Sequence, residues 1–283
     1  QEKTMEFLRE DSIKNLEKMG SIESGGNSVV HKVAKKVIYA LKEMKLQIVE
    51  DEIQNFIAEY ELMRILEHPN IVKTHGIYFG DEINPPCILL EYCPLNLGSL
   101  FKNKQIKNIE LVFMIYQIVE GMKYIHLKKV IHLDLKPLNI LIGENNEIKI
   151  GDFGISVLKE NEGFLDKEEV EKASFKFAAP EILNGGKCNE KVDVYSFGVI
   201  LFFLLSRGQM PEMIPGQILN GIKAKIPDTF TKFASQLISS CWNFNPNDRP
   251  SFEQIYNDIE NKEFNLIEMN ETEIDAVKKM IKH

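Results

Sequence analysis

The sequence predicts an α+β fold in two lobes, on three observations. Short runs rich in β-branched residues, separated by glycine and proline, fill the first third of the chain up to Glu91. Helical periodicity takes over from Glu110 onward, ending in the strongly apolar stretch Phe197 to Leu205 and an amphipathic C-terminal segment. Between these halves, the apolar run starting at Cys87 breaks into a connection containing Pro94 and Gly98, the natural boundary. At 283 residues the chain has the length for one large or two small lobes sharing a cleft.

Composition narrows the function classes. Apolar residues make up 44% of the chain, enough for a sizeable core, and 27% charged residues give an ordinary water-facing surface. The net charge of −8, from 34 basic and 42 acidic side chains, argues against a nucleic-acid partner and against a polybasic membrane dock. Cys87, Cys93, Cys188 and Cys241 show neither a C-x-x-C pair nor a nearby histidine at ligand spacing, so reduced cytosolic thiols are expected rather than zinc or disulfides. No signal peptide is visible, and Phe197 to Leu205 is too short to span a bilayer. A cytoplasmic location is expected. A chain opening on Gln1 rather than Met leaves room for a larger or membrane-anchored parent protein.

Taken in order, residues 1 to 18 are charged and helix-compatible, with Met5, Phe7, Leu8 and Leu16 as scattered anchors. Gly25 and Gly26 then separate Ile22 from a β-branched run beginning at Val29, the pattern of two strands joined by a glycine turn, or of a loop whose bare backbone approaches phosphate. V-I-Y-A-L-K-E-M reads as a strand carrying Ala40 and Lys42; a strand lysine is ordinarily an exposed edge residue. An amphipathic helix is expected from Gln54 to Glu67, built on Phe56, Tyr60, Met63, Ile65 and Leu66, and it carries Glu59, Glu61 and Glu67, with Glu52 just ahead. Cys87 to Glu91 reads as a buried strand, and Glu110 to His126 as a helix.

The densest chemistry lies between Val130 and Gly154. There His132, Asp134, Lys136, Asn139 and Asp152 flank two apolar runs, Ile140 to Ile142 and Ile148 to Ile150, joined by a turn at Asn145 and Asn146 that reads as a β-hairpin. One such polar residue is usually a solvated turn group. Five at this spacing, H-L-D-L-K-P-L-N followed by D-F-G, resemble the protein kinase catalytic loop and its metal-binding motif. The same family pattern runs through the Ala40 and Lys42 strand, the H-P-N-I-V turn at His68, the A-P-E motif ending at Glu181, Asp193, and C-W-N-F-N-P-N-D-R-P at Cys241 to Pro250. The last of these resembles tyrosine kinases and tyrosine-kinase-like serine/threonine kinases.

The resemblance covers about residues 17 to 262 and implies the two-lobed protein kinase fold: a small antiparallel sheet with one main helix, then a large, mainly helical lobe. It divides the chain into an N-terminal extension (1–16), N-lobe (17–92), C-lobe (93–262) and C-terminal helical extension (263–283). It also implies transfer of the ATP γ-phosphate to serine or threonine of a protein substrate, with Mg²⁺ as the metal. Asp134 is the implied acceptor of the substrate hydroxyl proton, and Lys136 neutralises the γ-phosphate; lysine two residues after that aspartate is typical of serine/threonine kinases. Asn139 and Asp152 are implied to hold the metal. Lys42 is implied to hold the α- and β-phosphates and to pair with Glu59, which counting back from His68 selects. Ile22, Gly25, Gly26, Val30, Ala40, Lys42, Leu90, Glu91, Cys93 and Leu141 are implied to bind the nucleotide, Leu90 as the bulky gatekeeper and Glu91 to Cys93 as the hinge. His132 is implied to pack on Phe153 rather than to act as a base.

Four positions depart from the family pattern. Glu23 and Ser28 stand where the phosphate loop ordinarily has glycine, which motivates a second reading, a pseudokinase that binds nucleotide or partners without transfer. Leu133 replaces the arginine that pairs with a phosphorylated activation loop, so control by such phosphorylation is not expected. Ala173 stands where glycine is usual before Ser174, the hydroxyl implied to contact Asp134 and Lys136. Between Asp152 and Glu181 only Ser156 and Ser174 carry hydroxyls, and the acidic stretch between them reads as a solvated loop. Asp193 reads as a helix N-cap that, by resemblance, also holds the catalytic-loop backbone. Arg249 is implied to bridge Glu181 structurally. Asn270, with Glu273 three residues on, caps a last amphipathic helix of Ile274, Val277 and Ile281, expected to dock on the large lobe. A small-molecule phosphotransferase also uses an H-x-D and a later Asp, but the A-P-E motif, Asp193 and Arg249 together tell against it.

Overall fold

A computed structural model describes residues 16–24, 28–34, 38–45, 50–81, 84–103, 105–159, 165 and 174–282. The chain divides into two compact units, Gln1–Pro94 and Leu95–His283. The first holds a five-stranded antiparallel sheet and one long helix: β1 (Glu17–Ser24), β2 (Ser28–Ala34), β3 (Ile38–Met44), α1 (Glu50–Ile65), β4 (Thr74–Tyr78) and β5 (Cys87–Glu91), in strand order β1-β2-β3-β5-β4. Residues 1–15 of the expected helix-compatible segment lie outside the described residues. Glu17 and Lys18 open β1 instead, because Lys18 lies across from Val33 and its Nζ reaches Glu43 Oε2 at 2.6 Å, a cross-strand arrangement that a helix would not supply.

Alternation sorts the side chains of this sheet onto two faces. On one, Met44, Ile77 and Ile88 pack with Phe56 and Tyr60 of α1, and Ile53, Ile57 and Leu90 fill the margin. On the other, Val33, Leu41, Cys87 and Leu89 pack with Leu16, Tyr39 and Tyr78. Helix α1 starts and ends earlier than the expected 54 to 67.

The second unit is mainly helical. It runs through β6 (Leu95–Asn96), α2 (Leu97–Asn103), α3 (Asn108–Leu127), β7 (Val130–Ile131), β8 (Ile140–Ile142), β9 (Ile148–Ile150), β10 (Val157–Leu158), α4 (Pro180–Leu183), α5 (Lys191–Leu205), α6 (Pro215–Leu219), α7 (Lys232–Cys241), α8 (Phe252–Asn261) and α9 (Glu271–Ile281). Every residue of α5 from Val192 to Leu205 is buried, as its apolar sequence demands of a central helix. The hairpin β8–β9 closes through Asn146 at φ 64°, a left-handed conformation asparagine tolerates, and its Ile148 amide donates to Gln117 Oε1 of α3 at 3.0 Å. Helix α9 begins with the expected reciprocal cap, Glu273 N to Asn270 Oδ1 and Asn270 N to Glu273 Oε2, both 3.0 Å, and packs on α3 with Val277 buried.

Among the described residues no helix is long and apolar enough to cross a membrane. No disulfide joins the four cysteines, all buried. Burial, the largest cause, pushes the thiols of Cys87, Cys188 and Cys241 up to about 12, which keeps them protonated and inert at neutral pH.

The Glu181–Arg249 bridge locks α4 to the segment before α8. Arg249 Nη1 and Nη2 donate to Glu181 Oε1 and Oε2 at 2.6 and 2.7 Å, and its remaining donors reach the carbonyls of Asn243 at 2.8 Å and Lys191 at 2.9 Å. A buried guanidinium with its fork so filled tolerates no deletion of its partner. Glu181→Ala is expected to lower unfolding free energy by about 3–5 kcal/mol, measured in urea. Arg249→Lys should recover little, because lysine lacks the planar fork.

Candidate active site

In the first unit, cross-strand register gathers part of the expected set on one sheet face. Val30 pairs with Lys42, Lys42 with Ile88, and Ala40 with Leu90, so Val30, Ala40, Lys42 and Leu90 share the face that α1 covers. Lys42 Nζ donates to Glu59 Oε1 and Oε2 at 2.6 and 2.7 Å, and the Glu59 side chain is only 5% exposed. Of the competing carboxylates, Glu61 instead pairs with Arg64 along its own helix at 3.2 Å. Ile22 lies exposed at a bulge in β1. The Glu91 amide donates to Lys73 O at 2.8 Å, and Cys93 is buried three residues beyond the half-buried Leu90. Gly25 and Gly26 lie outside the described residues, as does most of the acidic stretch after Lys159.

In the second unit the loop from Ile131 to Asn139 is organised from below by Asp193. Its Oδ2 accepts the His132 amide at 2.8 Å and its Oδ1 the Leu133 amide at 2.9 Å, while His126 Nε2 lies 2.9 Å from Oδ2. Asp193 is not the N-cap expected from sequence. That place belongs to Glu190, and Asp193 sits inside the first turn of α5, 1% exposed, with its oxygens committed to the loop rather than to its own helix. Sequence reasoning does not single out His126; its only sequence signal is an imidazole in the last turn of an apolar helix.

The loop side chains follow from that anchoring. His132 Nδ1 accepts the Asp134 amide at 3.3 Å, which leaves Nε2 to donate to Gly151 O at 3.1 Å, and its ring centroid stands 5.0 Å from that of Phe153. With both nitrogens engaged in a buried site, His132 is a packing residue. Asp134 Oδ2 accepts from Lys136 Nζ at 2.6 Å and from Asn139 Nδ2 at 2.9 Å. Lys136 Nζ also reaches Ser174 Oγ at 3.1 Å. Asp134 Oδ1 is buried and has no hydrogen-bond partner among the described residues. A buried acceptor left open beside a lysine is poised to receive a hydroxyl proton donor.

The Asn139 side chain bonds only through Nδ2, to Asp134 O and Oδ2, and its Oδ1 takes no donor among the described residues. Asp152 follows β9 at φ 62°, its side chain exposed. One amide oxygen and one carboxylate are the hard-oxygen donors that Mg²⁺ takes when phosphates and water complete its shell. Among the described residues no three His, Cys, Asp or Glu side chains converge on one point, so an all-protein metal cage is not what this region offers. Leu141, on β8 across from Lys149 and Asn96, is half-buried. Ser156, which sequence marks only as a loop hydroxyl, donates to His132 O at 3.0 Å.

Residues 17–259 match a family model described as protein tyrosine and serine/threonine kinase. The chain is 34% identical to a probable serine/threonine-protein kinase of Dictyostelium discoideum, over 74% of this chain and 16% of that protein. It is 34% identical to the mitogen-activated protein kinase kinase kinase dlk-1 of Caenorhabditis briggsae, over 93% of this chain and 30% of the relative. It is 31% identical to the tyrosine-protein kinase Fer of Mus musculus, over 79% and 28%. The chain thus spans less than a third of the length of these relatives.

Asp193→Asn tests the anchoring. An asparagine keeps one acceptor and turns an NH₂ toward an amide N–H, so the change is expected to cost about 2–3 kcal/mol by chemical denaturation despite its identical shape.

Proposed function

The chain belongs to the protein tyrosine and serine/threonine kinase family, and we propose that it phosphorylates serine or threonine of protein substrates. The observation that carries this reading is the split carboxylate of Asp134. Its Oδ2 is held by Lys136 and Asn139, while its buried Oδ1 is open. Oδ1 accepts the hydrogen bond of the substrate hydroxyl and aims the oxygen. Lys136, within reach of Ser174 Oγ, offsets negative charge on the transferred group. Lysine at this place supports serine/threonine over tyrosine.

Protein kinases generally use ATP and Mg²⁺. In the first unit, Val30, Ala40 and Leu90 offer the apolar surface for the adenine, and Lys42, oriented by Glu59, meets the phosphates. In the second, Asn139 and Asp152 are the metal ligands; bound Mg²⁺ supplies charge neutralisation on the phosphate oxygens. Leu133 supports activity without loop phosphorylation. Its side chain is apolar and 4% exposed, and Ser156 to Leu158 are held by β10 paired with β7 and by Ser156 bonded to His132.

A second reading, a module that binds nucleotide or partners without transfer, is favoured by Glu23, an acidic residue that the β1–β2 register sets across from Val30. Transfer of labelled γ-phosphate to a generic protein substrate separates the two. Asp134→Asn should lower transfer by about a hundredfold or more. Label appearing on tyrosine would overturn the serine/threonine assignment. Transfer no higher than that of Asp134→Asn, with no stabilisation by Mg²⁺-ATP, would leave the partner-binding module. For Leu133, phosphatase treatment should leave kcat unchanged; a strong rise in activity on phosphorylation of Ser156 or Ser174 would refute phosphate-independent activity.

A further inference from the structure

Helix α5 is buried from Val192 to Leu205, and a serine hydroxyl in such a place needs a partner. Ser196 is 5% exposed. A serine inside a helix often returns its hydroxyl to the carbonyl four residues back, and Val192 O lies 3.2 Å from Ser196 Oγ. The Phe177 carbonyl lies closer, at 2.8 Å, and Oγ has one proton to give. The shorter bond leaves the helix and holds the segment that carries Ser174.

Asp193 and Ser196 are three residues apart and so share one face of α5. Asp193 accepts the amides of His132 and Leu133, at the head of the stretch that carries Asp134 and Lys136. Ser196 takes hold of the other side of the site. Phe175–Phe177 forms a 3₁₀ turn in which Phe177 N donates to Ser174 O at 3.1 Å, so a fixed Phe177 carbonyl also fixes the place of Ser174. The two anchored stretches meet at Lys136, whose Nζ donates to Asp134 Oδ2 at 2.6 Å and to Ser174 Oγ at 3.1 Å. Beyond the turn the chain enters α4, which the Glu181–Arg249 bridge holds.

We propose that Ser196 is a positioning residue for phosphoryl transfer, one that holds the Phe177 carbonyl, thereby sets Ser174 Oγ against Lys136, and so aims the ammonium group at the transferred phosphoryl. This rests on the kinase reading. A lysine ammonium is a compact point charge on a flexible four-carbon stem. Two fixed acceptors narrow its range, where Asp134 alone leaves it free to swing. A charge held in place in this way meets the charge that develops on the transferred group without reorganising during the step, so it acts on the transition state more than on bound ATP. Removal of the Ser196 hydroxyl therefore lowers kcat and leaves KM for ATP in place.

A double-mutant cycle tests this, with transfer of labelled γ-phosphate to a generic protein substrate measured for the parent chain, Ser196→Ala, Ser174→Ala and the double variant. Ser196→Ala is expected to lower kcat by about five- to tenfold, the effect of one lost hydrogen bond, while KM for ATP stays within about twofold of the parent value. Ser174→Ala should lower kcat by a similar factor. Adding Ser196→Ala to Ser174→Ala should then cost no more than about a further twofold, because the connection to Lys136 is already cut. Equal losses from Ser196→Ala in both backgrounds, an unchanged kcat, or a rise in KM for ATP that matches the fall in kcat overturns the inference, since each is what a purely structural hydroxyl would give. A parent chain that transfers no phosphate to any protein overturns the underlying kinase reading instead.

Discussion

One buried carboxylate sets the geometry on which the rest of the site depends. Asp193 rises from α5, the most completely buried helix, and its two oxygens receive the consecutive amides of His132 and Leu133. Directly after these two anchored amides the chain turns sharply, and Leu133 takes φ 66° there. A leucine in that region costs about 1–2 kcal/mol, and hydrogen bonds to a charged acceptor contribute about 1.5–3 kcal/mol each, so the turn holds. From there His132 is buried against Phe153, and Asp134 is delivered to Lys136 and Asn139. The strain sits beside the reactive groups and the anchor sits in the core.

Completeness of hydrogen bonding separates structural charges from functional ones. The Arg249 guanidinium reaches Glu181 and the carbonyls of Asn243, Lys191 and Phe244. Such a group has nothing left to offer a ligand, and its role is to hold α4 against the later helices. Asp134 is the contrary case, with one oxygen satisfied and one buried and open. Buried polar atoms without partners are uncommon, and this one, in a loop of acidic and amide side chains, supports the proposed place of the substrate hydroxyl.

Sequence legibility followed the range of the interactions. The hairpin at Ile140 to Ile150, the cap at Asn270 and the helix over Glu110 to His126 depend on near neighbours and can be read from alternation, turn residues and spacing. The Glu59 choice came instead from the family resemblance, by counting back from the H-P-N-I-V turn at His68, and Lys42 does pair with it. Asp193 was misread as a cap because an acidic residue near a helix start looks the same whether its oxygens face its own amides or those of a loop some sixty residues earlier. His126 carried no usable signal for the same reason.

By itself the sequence determined the order of elements, the two-unit plan and the identity of the polar set from Lys42 to Arg249, since residue type, periodicity and motif spacing are local properties of a chain. Tertiary structure alone decided which of Asp134's oxygens is engaged and which is open, and that Asp193 is not the cap of its own helix. Those outcomes follow from where distant segments place donors and surface, and burial and hydrogen-bond partners are properties of packing that no single residue type encodes.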